Sequence, residues 1–438
     1  MIISLIAFAI LLGLILLRVP IALAMAAVGG FGFAYLRGLE PAWAMIGQIA
    51  FDTGLSYSLS VIPLFVFMGN VLAKSGVAQG LFAGANRLFG RMPGGLSMAA
   101  VLSCGGFSAV CGSSLATAAT MSKVAMPAMR KFGYDDRLAT GSIAAGGTLG
   151  ILIPPSVILI IYGLMTESNI AKLFIAGVIP GIIGVLLYLV AVRIAVALNP
   201  GLAPPLAELP EMTRTDKIGV TCVLGLFFFI MAGIYGNFFT PIEAAGMGAA
   251  ASIAIAIGLR AMSAGDFFDA ILDSVRTTAM IFAIIIGAEI FTNLINFAGL
   301  PDALAVVVYD WELSPWMVIG AIILIYLVLG CVLESLSMVL LTVPVFYPLM
   351  YELQFTNELL MDPEYALIWF AIVVVVATEI SLITPPVGMN VFVLKSVLKD
   401  VPISTIFRGV LPFWIADLFR LAFIVFIPGL SLWLVTAM

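Results

Sequence analysis

The chain has 438 residues, of which 63% are hydrophobic and 10% charged, with a mean hydropathy of +1.21 and a net charge of −5. A soluble domain is typically about 25% charged, so a water-soluble enzyme is excluded, and the acidic balance argues against nucleic acid as a partner. Histidine is absent, which removes bis-histidine haem, the usual zinc sites and imidazole proton relays.

A bilayer-spanning helix needs roughly 20 apolar residues, and this composition predicts an all-α polytopic membrane protein. In chain order the apolar segments fall near 2–36, broken at Arg18-Val19-Pro20, then 42–74, 95–122, 138–165, 173–198, 217–236, 241–259, 277–298, 316–350, 366–394 and 410–437. The first run lacks a basic leader and a small-residue cleavage site, so it reads as a retained span rather than a signal peptide. The stretch 80–90 is too short and too mixed to cross. Cys104, Cys111, Cys222 and Cys331 all lie in apolar stretches with no Cys-x-x-Cys pair, as buried free thiols do. A polar, Pro-rich stretch, NPGLAPPLAELPE at 199–211, separates two halves.

The halves resemble each other. NVLAKSGV at 70–77 aligns with NLINFAGL at 293–300, and Leu81 then matches Leu304; SSLATAATMSKVAMPAM at 113–129 aligns with ESLSMVLLTVPVFYPLM at 334–350; Pro154-Pro155 matches Pro385-Pro386. Three matches in one order predict a duplication, dividing the chain into 1–50, a first repeat at 51–198, a connecting region at 199–275 and a second repeat at 276–438. Lys74, Arg87 and Arg91 in one loop face Asp302, Asp310 and Glu312 in its counterpart, and Arg130, Lys131 and Arg137 face Glu352, Glu358, Asp362 and Glu364. Lys395, Lys399 and Arg408 fit the same scheme, with Lys172 a mild exception. Basic residues stay on the cytoplasmic side, so the copies are expected to be inverted, the architecture of secondary transporters with a midplane site between the repeats.

Chemistry in such a protein belongs where helices break, because irregular backbone at membrane depth must be buried or line a cavity. CGSSLAT at 111–117 and GGTLGILIPPS at 146–156 are such places in the first copy. Pro155 has no backbone donor and Pro154 moves its predecessor out of helical geometry. Freed carbonyls are expected near Gly150 to Ile153, beside Ser113 and Ser114, and hard oxygen without carboxylate suits a monovalent cation. LESLS at 333–337 and ATEISLITPPVGMN at 377–390 repeat the device with Glu334, Ser335, Ser337, Thr378, Thr384, Gly388 and Asn390. The alternative is that the prolines only kink packed helices and the serines bond their own turn.

The intramembrane acids Glu289, Glu334 and Glu379 are candidates for ion or proton coupling, although Glu289 would equally cap a helix or pair with a partner subunit. Glu243 follows Thr240-Pro241 and reads as the acid of a capping box. Lys123 reads as snorkelling to the cytoplasmic interface, and Phe227 to Phe229 as lipid-facing packing. The apolar stretches interrupted at Pro63 and Gly287 mark the expected lead-ins to two re-entrant hairpins with tips at CGSS and LESLS.

Together, CGSSLATAATM, GGTLGILIPPS, TPIEAAG at 240–246 and ITPPVGMNVFVL at 383–394 resemble the large membrane subunit of tripartite ATP-independent periplasmic (TRAP) transporters, over essentially the whole chain. The resemblance implies sodium-driven uptake of a small organic acid through the bacterial inner membrane by a multi-pass protein. It implies an elevator fold of about 11 transmembrane helices plus two re-entrant hairpins, in which a transport domain of hairpins and broken helices slides against scaffold helices from 1–50 and 199–275. Its partners would be a small four-helix membrane subunit and a soluble periplasmic binding protein. Carried over by motif position, one sodium site would involve Ser113, Gly150, Ile153 and Pro155, with Ser114 nearby. A second would involve Thr378, Thr384, Gly388 and Met389, mostly through main-chain oxygen, and the substrate would sit near Ser114, Ser335 and Asn390. No covalent cofactor is implied; sodium is the coupling ion. Glu334 stands where the first copy has Ser113, a departure between the copies. Two readings remain beside this one: an ion channel, which should show a continuous polar stripe, and a proton-coupled organic anion transporter working through Glu334 or Glu379.

Overall fold

The computed structural model describes residues 2–204, 212–259 and 262–437. The Pro-rich boundary read at 199–211 therefore lies in part, at 205–211, outside the described residues. Among the described residues every regular element is helical. The first half runs α1 (Ile2–Leu16), α2 (Ile21–Arg37), α3 (Leu39–Leu55), α4 (Val61–Lys74), α5 (Val77–Phe89), α6 (Gly95–Cys111), α7 (Ser114–Lys131), α8 (Asp136–Thr148), α9 (Val157–Met165) and α10 (Ile170–Leu198). The second runs α11 (Arg214–Tyr235), α12 (Pro241–Gly258), α13 (Ala264–Phe297), α14 (Leu300–Asp310), α15 (Pro315–Leu329), α16 (Ser335–Glu352), α17 (Pro363–Ser381), α18 (Met389–Val397), α19 (Ile403–Phe426) and α20 (Gly429–Thr436).

Seven of these, α10, α11, α12, α13, α16, α17 and α19, are long and apolar enough to cross a membrane, and α3 with α4 makes an eighth if that pair, bent by 58°, is one span. The shorter apolar helices α6 and α15 have 17 and 15 residues. At 1.5 Å per residue they reach about 25 and 22 Å, short of the roughly 30 Å hydrocarbon core. Each is followed, after a short irregular stretch, by a second helix.

Several local expectations meet the coordinates directly. The first two helices part where Arg18 adopts a positive φ of 66° ahead of Pro20. Thr240 and Glu243 form the capping box read from the sequence: the Thr240 amide donates to Glu243 at 2.8 Å. Phe228 and Phe229 are exposed on the apolar exterior, whereas Phe227 is half-buried against the core, and all four cysteines are free, Cys104 and Cys111 buried, Cys222 and Cys331 half-buried. Two expectations about hairpin lead-ins are corrected. Pro63 sits in the first turn of α4, where its missing N–H leaves no bond unmade, and the bend falls before it, at 56–60. Gly287 breaks nothing, because α13 runs unbroken for 34 residues. A Cβ there would come within 2.4 Å of the Ala22 carbonyl, so this glycine serves the close packing of α2 along α13.

The element order repeats. A helix–break–helix unit (α6/α7), an interrupted helix (α8/α9) and a long helix (α10) are followed later by α15/α16, α17/α18 and α19. The two series interlock: α8 packs along α19 and α10 along α17, while α12 lies on α4 as α2 lies on α13. IAGVIP at 175–180 in α10 and FRGVLP at 407–412 in α19 are a further matched pair that sequence comparison passed over. At the basic end, Arg130 of α7 bonds Asp136 at 2.8 Å and Asp400 at 2.6 Å. The bonded guanidinium holds the Asp400 carboxyl below the usual carboxylate range.

Candidate functional site

The first break is built by three devices in a row. Gly112 takes a left-handed φ of 63°, Ser113 is extended, and its hydroxyl accepts from the Ala116 amide at 3.4 Å, capping α7. Across from it, α8 tightens into a single 3₁₀ turn at Leu149–Ile151 and then loses helical form until Ser156 caps α9. The Ser156 hydroxyl donates to the Ile151 carbonyl, but the carbonyls of Ile153 and Pro155 receive no hydrogen bond among the described residues. A Cβ on Gly112 would lie 3.2 Å from the Pro155 oxygen, and one on Gly150 would lie 2.9 Å from Ser108 Oγ and 3.3 Å from the Ser113 carbonyl carbon. Ser113, Gly150 and Pro155 are thus gathered at one point. The Ile153 side chain packs toward Gly105 and Gly181, so that residue offers the point only its main chain.

The second break differs in where its oxygens are engaged. Glu334 holds the N-cap position of α16 without making a capping bond. Thr384 donates to the Ile380 carbonyl at 2.6 Å and accepts from Trp414 Nε1 at 2.9 Å. Thr378 donates to Val374, and its own carbonyl accepts from Ser381 Oγ at 2.6 Å and from the Leu382 amide at 3.2 Å. Gly388, with φ 59°, starts α18, and a Cβ on it would lie 3.3 Å from the Thr384 carbonyl oxygen. Thr384, Gly388 and Met389 therefore adjoin, while Thr378 lies deeper with its carbonyl occupied. The tip at Cys331 leans on this corner through a thiol contact of 3.5 Å to the Pro385 carbonyl, as Gly112 leans on Pro155.

Both tips open on one cavity of about 300 Å³. Ser113 and Ser114 line it from one side and Glu334 and Ser335 from the other, with Asn70 of α4 and Thr277 of α13 on the facing wall. Two helix N-termini, those of α7 and α16, end at this cavity and bring partial positive charge to it; no basic side chain lines it. Asn390 is brought close but does not reach the wall. It is fully buried, donates to the Ala144 carbonyl at 2.9 Å, leaves Oδ1 without a partner among the described residues, and shares one side of Gly147 with the Ser114 carbonyl: a Cβ there would lie 3.2 Å from both Asn390 Nδ2 and the Ser114 oxygen. Thr378, Thr384, Gly388 and Met389 also lie off the cavity wall.

The three intramembrane acids separate. Glu334 faces the cavity. Glu289 accepts from Thr53 Oγ1 at 3.2 Å and lines a different cavity of about 350 Å³ with Asp52, Ser56 and Ser58. Glu379 is fully buried and bonded to Arg420, which also stands 2.9 Å from Asp417. Sequence reasoning missed Asn70, Thr277, Asp417 and Arg420. The last two carried a signal, since an acid and a base three apart in the apolar run FWIADLFRL share one helix face and cannot both look at lipid. Among the described residues no group of three or more Asp, Glu, Cys or His side chains is placed to hold a metal ion, so the oxygens on offer are hydroxyls, main-chain carbonyls and single carboxylates.

Comparison with known proteins agrees with this architecture. Residues 8–430 match the family model of the tripartite ATP-independent periplasmic transporter, DctM component. The C4-dicarboxylate TRAP transporter large permease protein DctM of Pseudomonas aeruginosa is 36% identical over 383 residues, covering 87% of each chain. The ectoine/5-hydroxyectoine TRAP transporter large permease protein UehC of Ruegeria pomeroyi is 29% identical and covers 96% of each. Among solved structures, the YdaH transporter of Alcanivorax borkumensis shares the fold, with a TM-score of 0.59 at 18% identity, over 91% of this chain and 89% of that one.

Proposed function

We infer, because this chain belongs to the DctM-component family of tripartite ATP-independent periplasmic transporters, that it is the large permease subunit of a sodium-coupled importer of a small organic acid. It is a multi-pass membrane transporter of organic acids and not an enzyme. The finer reading is ours: inverted repeats at 51–198 and 276–438, about 11 spans with two re-entrant hairpins, and an elevator motion of the hairpins and broken helices against scaffold helices from 1–50 and 199–275. A small four-helix membrane subunit and a periplasmic binding protein would complete the complex in the bacterial inner membrane.

The observation that carries the reading is the meeting of two helix N-termini, with Ser114 and Ser335 in their first turns, at one cavity, while the Pro155 carbonyl, without a hydrogen bond among the described residues, lies behind Gly112 of its wall. Helix N-termini hold a carboxylate without arginine or lysine. Carbonyl and hydroxyl oxygens hold a monovalent cation without carboxylate, with Ser113, Gly150, Ile153 and Pro155 around one ion and Thr378, Thr384, Gly388 and Met389 around another. Energetically, each elementary charge moved through 100 mV is worth about 2.3 kcal/mol. Two sodium ions are electrically cancelled by a dianion, so a dicarboxylate importer needs a third cation to be electrogenic.

Glu334 supports a second reading, in which this cavity-lining carboxylate carries a proton with the substrate. Uptake into proteoliposomes holding the complete complex separates the two. Loss of uptake when potassium replaces sodium at fixed pH is the expected outcome; undiminished uptake overturns sodium coupling in favour of protons.

A further inference from the structure

Near the two proline corners lies a buried set of polar side chains with no part in the cavity. Thr148 and Glu379 each stand six residues before the first proline of a corner, and Tyr188 and Arg420 each stand eight residues after the proline of the IAGVIP and FRGVLP motifs. The first pair meets as a neutral contact, Thr148 to Tyr188 at 3.2 Å, and the second as the Glu379–Arg420 ion pair. Asp417 joins them: Tyr188 Oη is 2.5 Å from its Oδ2, and Arg420 Nη2 is 2.9 Å from its Oδ1. All five side chains are buried, and Gly184 makes the room, since a Cβ there would sit 2.2 Å from Arg420 Nη1. The titratable groups that face Asp417 are Tyr188 from α10, Glu379 from α17 and Arg420 from its own α19; α8 contributes only the Thr148 hydroxyl.

Hydrogens and charge together constrain the state of this set. Thr148 donates its one hydroxyl hydrogen to the Ala145 carbonyl at 2.8 Å. With an ionised Asp417, Tyr188 would donate to its Oδ2; with Thr148 held on Ala145, the 3.2 Å contact claims the tyrosine hydrogen instead, and the Tyr188–Asp417 bond then takes its hydrogen from Asp417. Counting charge asks for one proton on the two carboxylates, and Glu379, which is hydrogen-bonded to Arg420, is the one placed to stay ionised, since Asp417 makes only the ion-pair contact. Arginine keeps its proton, so two ionised carboxylates would leave a net negative charge far from water, a state proteins avoid by pairing or protonation. We propose that Asp417 holds a proton, so that Asp417, Tyr188, Thr148 and the Ala145 carbonyl form one donor chain while Glu379 alone neutralises Arg420. The set is then an electroneutral clasp joining α8 and α10 to α17 and α19. Its consequence for transport rests on the elevator reading: the buried clasp itself adds no net charge to the body that moves through the field.

Infrared spectroscopy on the intact protein in lipid nanodiscs, with ¹³C-labelled aspartate, tests this without reference to uptake. Asp417 is the one buried aspartate among the described residues, so at neutral pH it alone is expected to give an aspartic-acid carbonyl band that moves with the label. The band should vanish in Asp417→Asn, and also in Glu379→Gln, where Asp417 must ionise to balance Arg420. The double variant strands the guanidinium and should lower the thermal midpoint by more than the two single changes together. No aspartic-acid band in the unsubstituted protein, or a band that persists in Glu379→Gln, overturns the proposal.

Discussion

The two tip-and-corner regions share a plan and differ in what they offer a ligand. At the first, the N-cap Ser113 spends its hydroxyl on its own helix, while the Ile153 and Pro155 carbonyls at the corner receive no hydrogen bond among the described residues. At the second, Thr378 and Thr384 have theirs bound to α17 and Trp414, whereas the N-cap Glu334 makes no capping bond and looks into the cavity. The carbonyl of Pro386, the counterpart of Pro155, is likewise without a hydrogen bond among the described residues, so both regions present neutral main-chain oxygen and the second adds a charge. Two copies of one backbone device do not become two copies of one site, because the N-cap residue decides whether its oxygen serves the helix or the cavity.

The largest test of that plan lies in the glycines of the matched IAGVIP and FRGVLP motifs. A Cβ on Gly177 would come within 2.8 Å of the Leu152 carbonyl, but one on Gly409 would come within 1.9 Å of the Arg137 carbonyl, and one on the facing Gly141 within 2.1 Å of the Gly409 carbonyl. Backbone cannot retreat as a side-chain end can. Gly409→Ala should cost about 3 kcal/mol or more and remove most folded protein, while Gly177→Ala should cost nearer 1–2 kcal/mol. Thermal unfolding in detergent ranks them; equal losses would mean that the two series are packed alike.

Next in size are the tips. Glu334→Gln removes the one charge on the cavity wall, and a hydrogen bond to a charged group is worth about 1.5–3 kcal/mol, so the concentration of coupling cation for half-maximal uptake should move roughly tenfold or more. Ser113→Ala removes a helix cap worth about 0.5–2 kcal/mol. It should lower the thermal midpoint by a few degrees and change the sodium requirement less than Glu334→Gln does. A Ser113 effect on sodium larger than the Glu334 effect would reverse the assignment of charge to the second tip.

Much of this was legible before any coordinates. Proline and glycine placement, with the repeat for LESLS, pointed to 111–117, 146–156, 333–337 and 377–390, and the helices break within or beside each, at 112–113, 149–156, 330–334 and 382–388, because a proline or glycine interrupts the helix ladder. The Glu243 cap was equally local. What the sequence concealed was pairing across the fold. Nothing in the neighbourhood of Glu379 points forty-one residues on to Arg420, and nothing near Asn390 says that its amide turns to Ala144 and not to the cavity. Gly287 misled for a related reason: a glycine inside an apolar run is the same letter whether it breaks a helix or admits another.

The smallest expected effect concerns the loop after α18, tied to the first series where Arg130 meets Asp400. Arg130 holds the Asp400 carboxyl below its ordinary range. A depressed folded value means the tie contributes above the ordinary carboxylate range and is lost as pH falls through the lowered one. Both partners are exposed, however, so solvent and salt screen the pair. Lys395 holds the same loop independently through the Lys399 and Val401 carbonyls, at 2.7 and 2.9 Å. Asp400→Asn should therefore lower the thermal midpoint only slightly at low salt. The difference should disappear near 1 M salt, where the Debye length is about 3 Å, and should also disappear on acidification, because the unsubstituted protein then loses the same tie. A deficit that survives high salt would mean that this contact bears on how the second corner's exit loop is held, and that the two series differ in anchoring as well as in their tips.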